Sequence, residues 1–264
     1  MKYAVIISDG TFPCNTAPLQ GPLEDCFRRA AELGFDGVQL TVKDPQEVDP
    51  AELNALCRQY GLCVSGLATG QIYTKDGFGM GCGEETRRKT AVRRLSQWLD
   101  LAAEIGHPSL IIGAVRGRLA DAPTPAIYYR QFRKSMEELV AHAEQKKTPV
   151  ILEVNDTRET EIYCNPDETF ALVNSFHSPY CSMYLDTMHL AYEQYDLAAV
   201  LEKYALQVPQ IDISGEDRCA PYQSSIDFAH GMVLLKKLEY PGWLTFEIRP
   251  DSDLQGALAY IRSF

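Results

Sequence analysis

Four acidic residues stand where apolar, strand-like runs end. Glu153 follows Val150-Ile-Leu, Asp186 follows Met183-Tyr-Leu, Asp212 sits in Gln210-Ile-Asp-Ile213, and Glu247 follows Trp243-Leu-Thr-Phe. A carboxylate at the mouth of a buried strand has no apolar reason to be there, and burying it unpaired is strongly unfavourable. It needs a cation, a set of donors or water. Four such groups at the ends of parallel strands predict a divalent metal site ligated by Glu153, Asp186, Asp212 and Glu247. All-oxygen ligation favours Mn²⁺ or Mg²⁺, while Co²⁺, Fe²⁺ and Zn²⁺ would also bind. Four carboxylates around one such ion leave a net charge of about −2, which weakens its effect on a substrate's acidity unless a cation offsets it. Arg116, Arg158, Arg218 and Arg249 are the arginines placed to do so, and His189 follows Asp186 by three residues.

These residues need a scaffold that gathers strand ends. Strand and helix signals alternate throughout the chain. Tyr3–Ser8, Gly37–Val42, Leu62–Ala68, Ser109–Gly113, Pro149–Val154, the run Met183-Tyr184-Leu185 that stops at Asp186, Val208–Ser214 and Gly242–Ile248 read as strands. Between and after them, Leu23–Leu33, a helix capped by Asp49 and running to Tyr60, Glu84–Ile105, Ala126–Lys146, a helix opened by Asn165-Pro166, Leu197–Tyr204, Ile226–Leu238 and Leu254–Ile261 read as helices. Eight strand–helix units without a composition break predict an α/β fold, a single (β/α)8 TIM barrel over residues 1–264. In such barrels the active site lies at the C-terminal ends of the strands, where all four carboxylates fall. A glycine-rich insertion at about 69–84 follows the third strand and is expected to fold over the mouth as a lid, with Tyr73 and Phe78 available to close on a ligand. It lacks the pattern of a phosphate-binding loop. His107 reads as structural and Trp98 as helix packing.

Composition narrows the partners. The chain has 264 residues, 45% hydrophobic and 23% charged, with a net charge of −11. That balance excludes nucleic acid as the main partner, because phosphate backbones are held by Lys and Arg clusters. No apolar run approaches membrane-spanning length and the N-terminus lacks a signal-peptide pattern, so a cytoplasmic protein is expected. The eight cysteines are scattered without a C-x-x-C pair and read as reduced thiols.

Taken together, the motifs resemble the sugar-phosphate isomerase/epimerase group with the xylose-isomerase-like barrel, ketose 3-epimerases included. The resemblance spans nearly the whole chain. It rests on Thr69-Gly-Gln71-x-Tyr73-Thr-x-Asp-Gly77, Ile111-Ile-Gly-Ala-Val-Arg-Gly117, Glu153 with Arg158-Glu159-Thr160 and Asn165, and Leu185-Asp186-Thr-Met-His189. Ser214-Gly-Glu-Asp-Arg218 with Pro221 and Ile226-Asp227-Phe228, and Tyr240-Pro-Gly-Trp-Leu-Thr-Phe-Glu247, complete it. The resemblance implies that Glu153 and Glu247 are metal ligands that also shuttle a proton between the two faces of the substrate carbon. It implies that Asp186 is a ligand and that His189, Glu159 and Arg218 contact substrate. Gln71 and Arg116 join them as candidate substrate-binding residues.

The chain departs from the group at the seventh strand. The usual run is His–apolar–His–apolar, its second histidine a ligand, whereas this chain reads Gln210-Ile-Asp212-Ile213. The usual glycine-rich, His-containing stretch before the Asp-Phe pair reads Pro221-Tyr-Gln-Ser-Ser225. Asp ligates through oxygen and shifts the site toward harder ions. The expected activity is metal-assisted isomerisation or epimerisation of a small keto-sugar or sugar phosphate by proton transfer through an enediolate. A dehydratase or lyase on the same site and a non-catalytic sugar-binding relic stay open as alternatives. A metal-dependent abasic-site endonuclease on this barrel is disfavoured by the acidic balance and the five histidines. A homo-oligomer stays open, since barrels of this kind often pair.

Overall fold

The computed structural model describes residues 1–42 and 44–264. Among these, the strands are β1 (Lys2–Ser8), β2 (Leu19–Gln20), β3 (Gly37–Thr41), β4 (Cys63–Ala68), β5 (Ser109–Ile112), β6 (Val150–Glu153), β7 (Cys181–Asp186), β8 (Gln210–Ile213) and β9 (Trp243–Phe246). The α-helices are α1 (Leu23–Leu33), α2 (Pro50–Tyr60), α3 (Gln71–Thr74), α4 (Glu85–Glu104) and α5 (Pro125–Lys146). They continue with α6 (Pro166–Asn174), α7 (Thr187–Tyr192), α8 (Leu197–Tyr204), α9 (Phe228–Lys237) and α10 (Leu254–Arg262). The sheet order is β2-β1-β3-β4-β5-β6-β7-β8-β9, and β1 also pairs with β9 in parallel. Eight strands therefore close on themselves as a (β/α)8 barrel, and β2 is a two-residue addition beside Ile7 and Ser8. Among the described residues, no helix is long and apolar enough to cross a membrane.

The chain divides into two compact units. One comprises 1–41, 54–65 and 184–264, and the other 42–53 and 66–183. In the first, Phe27, Phe228 and Phe246 are fully buried. Carboxylate caps start its later helices: Asp186 accepts from Met188 and His189 N–H groups, Asp196 from Ala199, Asp227 from His230 and Asp253 from Gly256. Each supplies an acceptor to a donor that a helix start leaves unsatisfied. In the second unit, Trp98, Tyr128 and Phe132 are fully buried. Its α6 starts on Asn165, whose side chain accepts from Asp167 and Glu168 N–H groups, with Pro166 at the first position.

Two features differ from expectation. The short helices α3 and α7 and strand β2 carry too few residues to show a period. The glycine-rich stretch expected as a lid is packed down within its own unit, with Ile72, Met80 and Cys82 buried. Met80, Gly81 and Gly83 donate backbone hydrogen bonds to the carbonyls of Val115, Arg116 and Asp121. Arg88, fully buried, reaches Glu85, Glu138 and Ser135, and Ser135 donates to the Met80 carbonyl at 2.8 Å. The eight cysteines are free thiols.

Gly81 is needed for this docking, because a Cβ there would lie 2.1 Å from the Tyr128 ring. Gly81→Ala is expected to lower stability by about 1–3 kcal/mol through overpacking. Urea unfolding followed by circular dichroism checks this.

Candidate active site

Strand register builds the site in the first unit. Asp186 on β7 stands beside Asp212 on β8, and Asp212 beside Thr245 on β9. Side chains at paired positions of parallel strands share a face, and Glu247, two residues beyond Thr245, continues it. One carboxylate oxygen from each of Asp186, Asp212 and Glu247 lies within 4.8 Å of the others. Asp186 and Asp212 are buried and the Glu247 side chain is 15% exposed. Thr187 locks the strand ends: its hydroxyl donates to the Ser214 carbonyl at 2.7 Å and accepts from the Ser214 N–H at 3.0 Å.

Asp186 is fully buried and its two oxygens are held differently. Oδ1 accepts from the N–H groups of Met188 (2.8 Å) and His189 (3.4 Å), and Oδ2 accepts from Arg218 Nη1 at 2.5 Å. The same Nη1 lies 3.1 Å from Glu247 Oε2 and donates to Ser214 Oγ at 3.1 Å. Arg218 Nη2 is 3.4 Å from His189 Nε2, which is 3.8 Å from Asp186 Oδ2. Burial by itself pushes the Asp186 carboxyl up, but the charges of Arg218 and His189, with the hydrogen bonds from Arg218 and Met188, hold it below the ordinary carboxylate range. Three carboxylates and one guanidinium leave two net negative charges, the complement of a divalent cation.

Polar residues continue into the barrel interior beside Asp212. The Gln210 amide donates to Gln39 Oε1 and lies 3.5 Å from Asp212 Oδ1. Gln210 Oε1 and Thr245 Oγ1 are buried without a hydrogen-bond partner among the described residues. Hard oxygen donors converging beside buried acceptors fit a divalent metal ion. The sequence reading missed Gln39, Thr187, Ser214 and Thr245 as site residues. Their signal was only a polar residue inside an apolar run.

In the second unit, Glu153 ends β6 and is 8% exposed. Its carboxylate lies over Gly113, where a Cβ would come within 2.3 Å of Oε2. Arg116 is not placed for substrate, contrary to expectation. It is fully buried, and its guanidinium donates to the carbonyls of Gly113 (3.0 Å), Ile112 (2.9 Å), Ile162 (3.2 Å) and Glu153. The side chain is thus spent on backbone carbonyls, that of Glu153 among them. Burial pushes its pKa down, opposed by the charge of Glu153. Glu159 is exposed, 3.5 Å from Asn155 Nδ2. Gln71 opens α3 with its Oε1 buried and without a hydrogen-bond partner among the described residues. Arg158 pairs with Asp156 at 2.7 Å.

The chain belongs to the xylose isomerase-like TIM barrel family, whose profile matches residues 27–264. It is 26% identical over 224 residues to the L-ribulose 3-epimerase of Methylomonas sp. (strain DH-1), covering 83% of this chain and 75% of that one. It is 25% identical over 181 residues to the fructoselysine 3-epimerase of Escherichia coli O157:H7, covering 64% and 62%. The apo crystal structure of 3-keto-D-glucoside 4-epimerase from E. coli superposes with a TM-score of 0.81 at 20% identity over the full length of both chains.

The Asp186 pairing sets an acid limit on stability. A carboxyl whose folded pKa is depressed adds stability that is fully present above its unfolded value of about 3.9 and is lost as pH falls through the lower folded value. Asp186→Asn is expected to be less stable at neutral pH by about 1–3 kcal/mol, since it takes from the buried Arg218 guanidinium one of the two carboxylates that pair with it. The gap to the wild type should narrow as pH drops below about 4. Urea midpoints measured across a pH series in chelator check both limits.

Proposed function

We propose that the chain is a divalent-metal-dependent epimerase or isomerase of a small keto-sugar, moving a proton through an enediolate. The observation that carries this reading is the convergence of Asp186, Asp212 and Glu247, with the Arg218 guanidinium bridging Asp186 and Glu247, in a chain of this family. Similarity to named sugar 3-epimerases supports it.

Asp186, Asp212 and Glu247, with Glu153 as a fourth carboxylate, would hold the ion, here Mn²⁺ or Mg²⁺ by the hardness of the donors, and when bound it supplies polarisation of the ketose carbonyl that acidifies the neighbouring C–H. Glu153 and Glu247 form the acid–base pair. One carboxylate takes the proton from the carbon beside the carbonyl, and the other, protonated, returns one to the opposite face, inverting that centre. Arg218 and His189 hold the sugar oxygens on which enediolate charge develops. Asp186 keeps Arg218 in place and is not itself the base, because both of its oxygens are already engaged, one by two backbone N–H groups and the other by the Arg218 guanidinium. Glu159 and Gln71 are secondary contacts to hydroxyl groups.

Incubating a ketose panel with the Mn²⁺-loaded protein in deuterated water is expected to produce an epimer carrying deuterium at the inverted carbon, read by NMR. Glu153→Gln and Glu247→Gln are expected to lower that rate by about 10²–10⁴-fold. Asp212→Ala is expected to lose the metal, measured by elemental analysis. Loss of a β-hydroxyl without epimer would assign a lyase instead, and failure to bind Mn²⁺, Mg²⁺, Co²⁺ or Zn²⁺ would sink the proposal.

A further inference from the structure

Arg218 is presented by an unusual backbone. Asp217 (φ 53°) and Arg218 (φ 60°) are consecutive non-glycine residues in the left-handed region. One such residue is uncommon, and two in succession persist only where the surroundings over-determine them. The turn is closed by Gly215 N–H donating to the Cys219 carbonyl at 2.9 Å and Arg218 N–H donating to the Gly215 carbonyl at 3.2 Å. Glu216 is anchored by the hydroxyls of Ser224 and Ser225.

The carbonyls of the two strained residues are both taken by Arg249. Its backbone N–H donates to the Arg218 carbonyl at 2.9 Å, and its Nη1 donates to the Asp217 carbonyl at 3.0 Å. Arg249 lies two residues beyond Glu247, so the run that supplies a site carboxylate also clamps the turn that aims Arg218 at that carboxylate. Its Nε lies 3.4 Å from Asp251 Oδ1. Its side chain is 45% exposed, and the bonds it makes to the two carbonyls tie it to the site through the turn.

We infer that Arg249 is a positioning residue for the reaction: it holds Asp217 and Arg218 in the left-handed conformation that places the Arg218 guanidinium between Asp186 and Glu247. The inference rests on the epimerase reading only where substrate kinetics are used. Arg249→Ala removes the Nη1 bond and leaves the backbone bond intact, so the turn can relax toward negative φ and withdraw Arg218.

The test is a thermal-unfolding cycle of wild type, Arg249→Ala, Arg218→Met and the double variant, which needs no substrate. The expected result is that Arg249→Ala lowers the midpoint clearly in the wild-type background and less than half as much in the Arg218→Met background. Equal effects in the two backgrounds would make Arg249 an ordinary surface residue and overturn the inference. In an active enzyme, Arg249→Ala is expected to lower kcat roughly tenfold with a smaller change in KM, and Arg249→Lys, which retains a donor, to recover most of that loss. An unchanged kcat would also overturn it. A chain that turns over no ketose would refute the epimerase reading and leave the thermal cycle to decide the role of Arg249.

Discussion

The salt bridge between Asp186 and Arg218 is the constraint on which the rest of the site depends. A carboxylate with no solvent contact is tolerable only when every oxygen is engaged, and here one oxygen takes two backbone N–H groups while the other takes a guanidinium. The first engagement forces β7 to become α7 at that very residue. The second forces the 215–219 turn to bring an arginine inward. Glu247 and His189 then share the same cation, so the geometry of four side chains follows from one buried charge. Removing the arginine would leave more than a lost contact, because a buried negative charge would remain without its partner.

The interior of the first unit is correspondingly polar. Barrels of this fold usually fill their centres with branched apolar side chains. Here Gln39, Gln210, Asp212 and Thr245 occupy strand positions that are at most 2% exposed. Amide and hydroxyl groups pack with more angular restriction than methyl groups, since each must aim its dipole as well as fill its volume. Such a layer fixes the Asp212 carboxylate more closely than an apolar bed would. Two of its acceptors, Gln210 Oε1 and Thr245 Oγ1, remain available to a donor.

Much of the architecture was legible in the sequence because its signals are local. Apolar runs, Asn165-Pro166 at one helix start and Gly34 at one helix end mark elements that the structure places within a residue or two. The carboxylates were legible for the same reason, since a charge closing an apolar strand stands out against its neighbours. Direction was not. Arg116 lies one turn past a strand end and looked like a site residue, but whether a side chain points up into a mouth or back into backbone depends on dihedral angles that no residue type encodes. Gln39 escaped notice because its partner Gln210 is 171 residues away and only the closed sheet unites them. The 69–84 stretch read as a lid over the mouth because it is glycine-rich and follows a strand. In this chain several of those glycines instead permit close contact.

That last point reaches Glu153. Gly81 lies flat against the Tyr128 ring, the Tyr128 hydroxyl donates to the Arg116 carbonyl at 2.6 Å, the Arg116 guanidinium holds the Glu153 carbonyl, and Gly113 leaves room for the Glu153 carboxylate. Five residues spread over 73 positions form one mechanical series, in which a change at any member is felt by the next. Inheritance should therefore treat them as one character. Lineages that keep a glutamate at this strand end should retain the whole series, and those that lose one member should be found to have rebuilt the others.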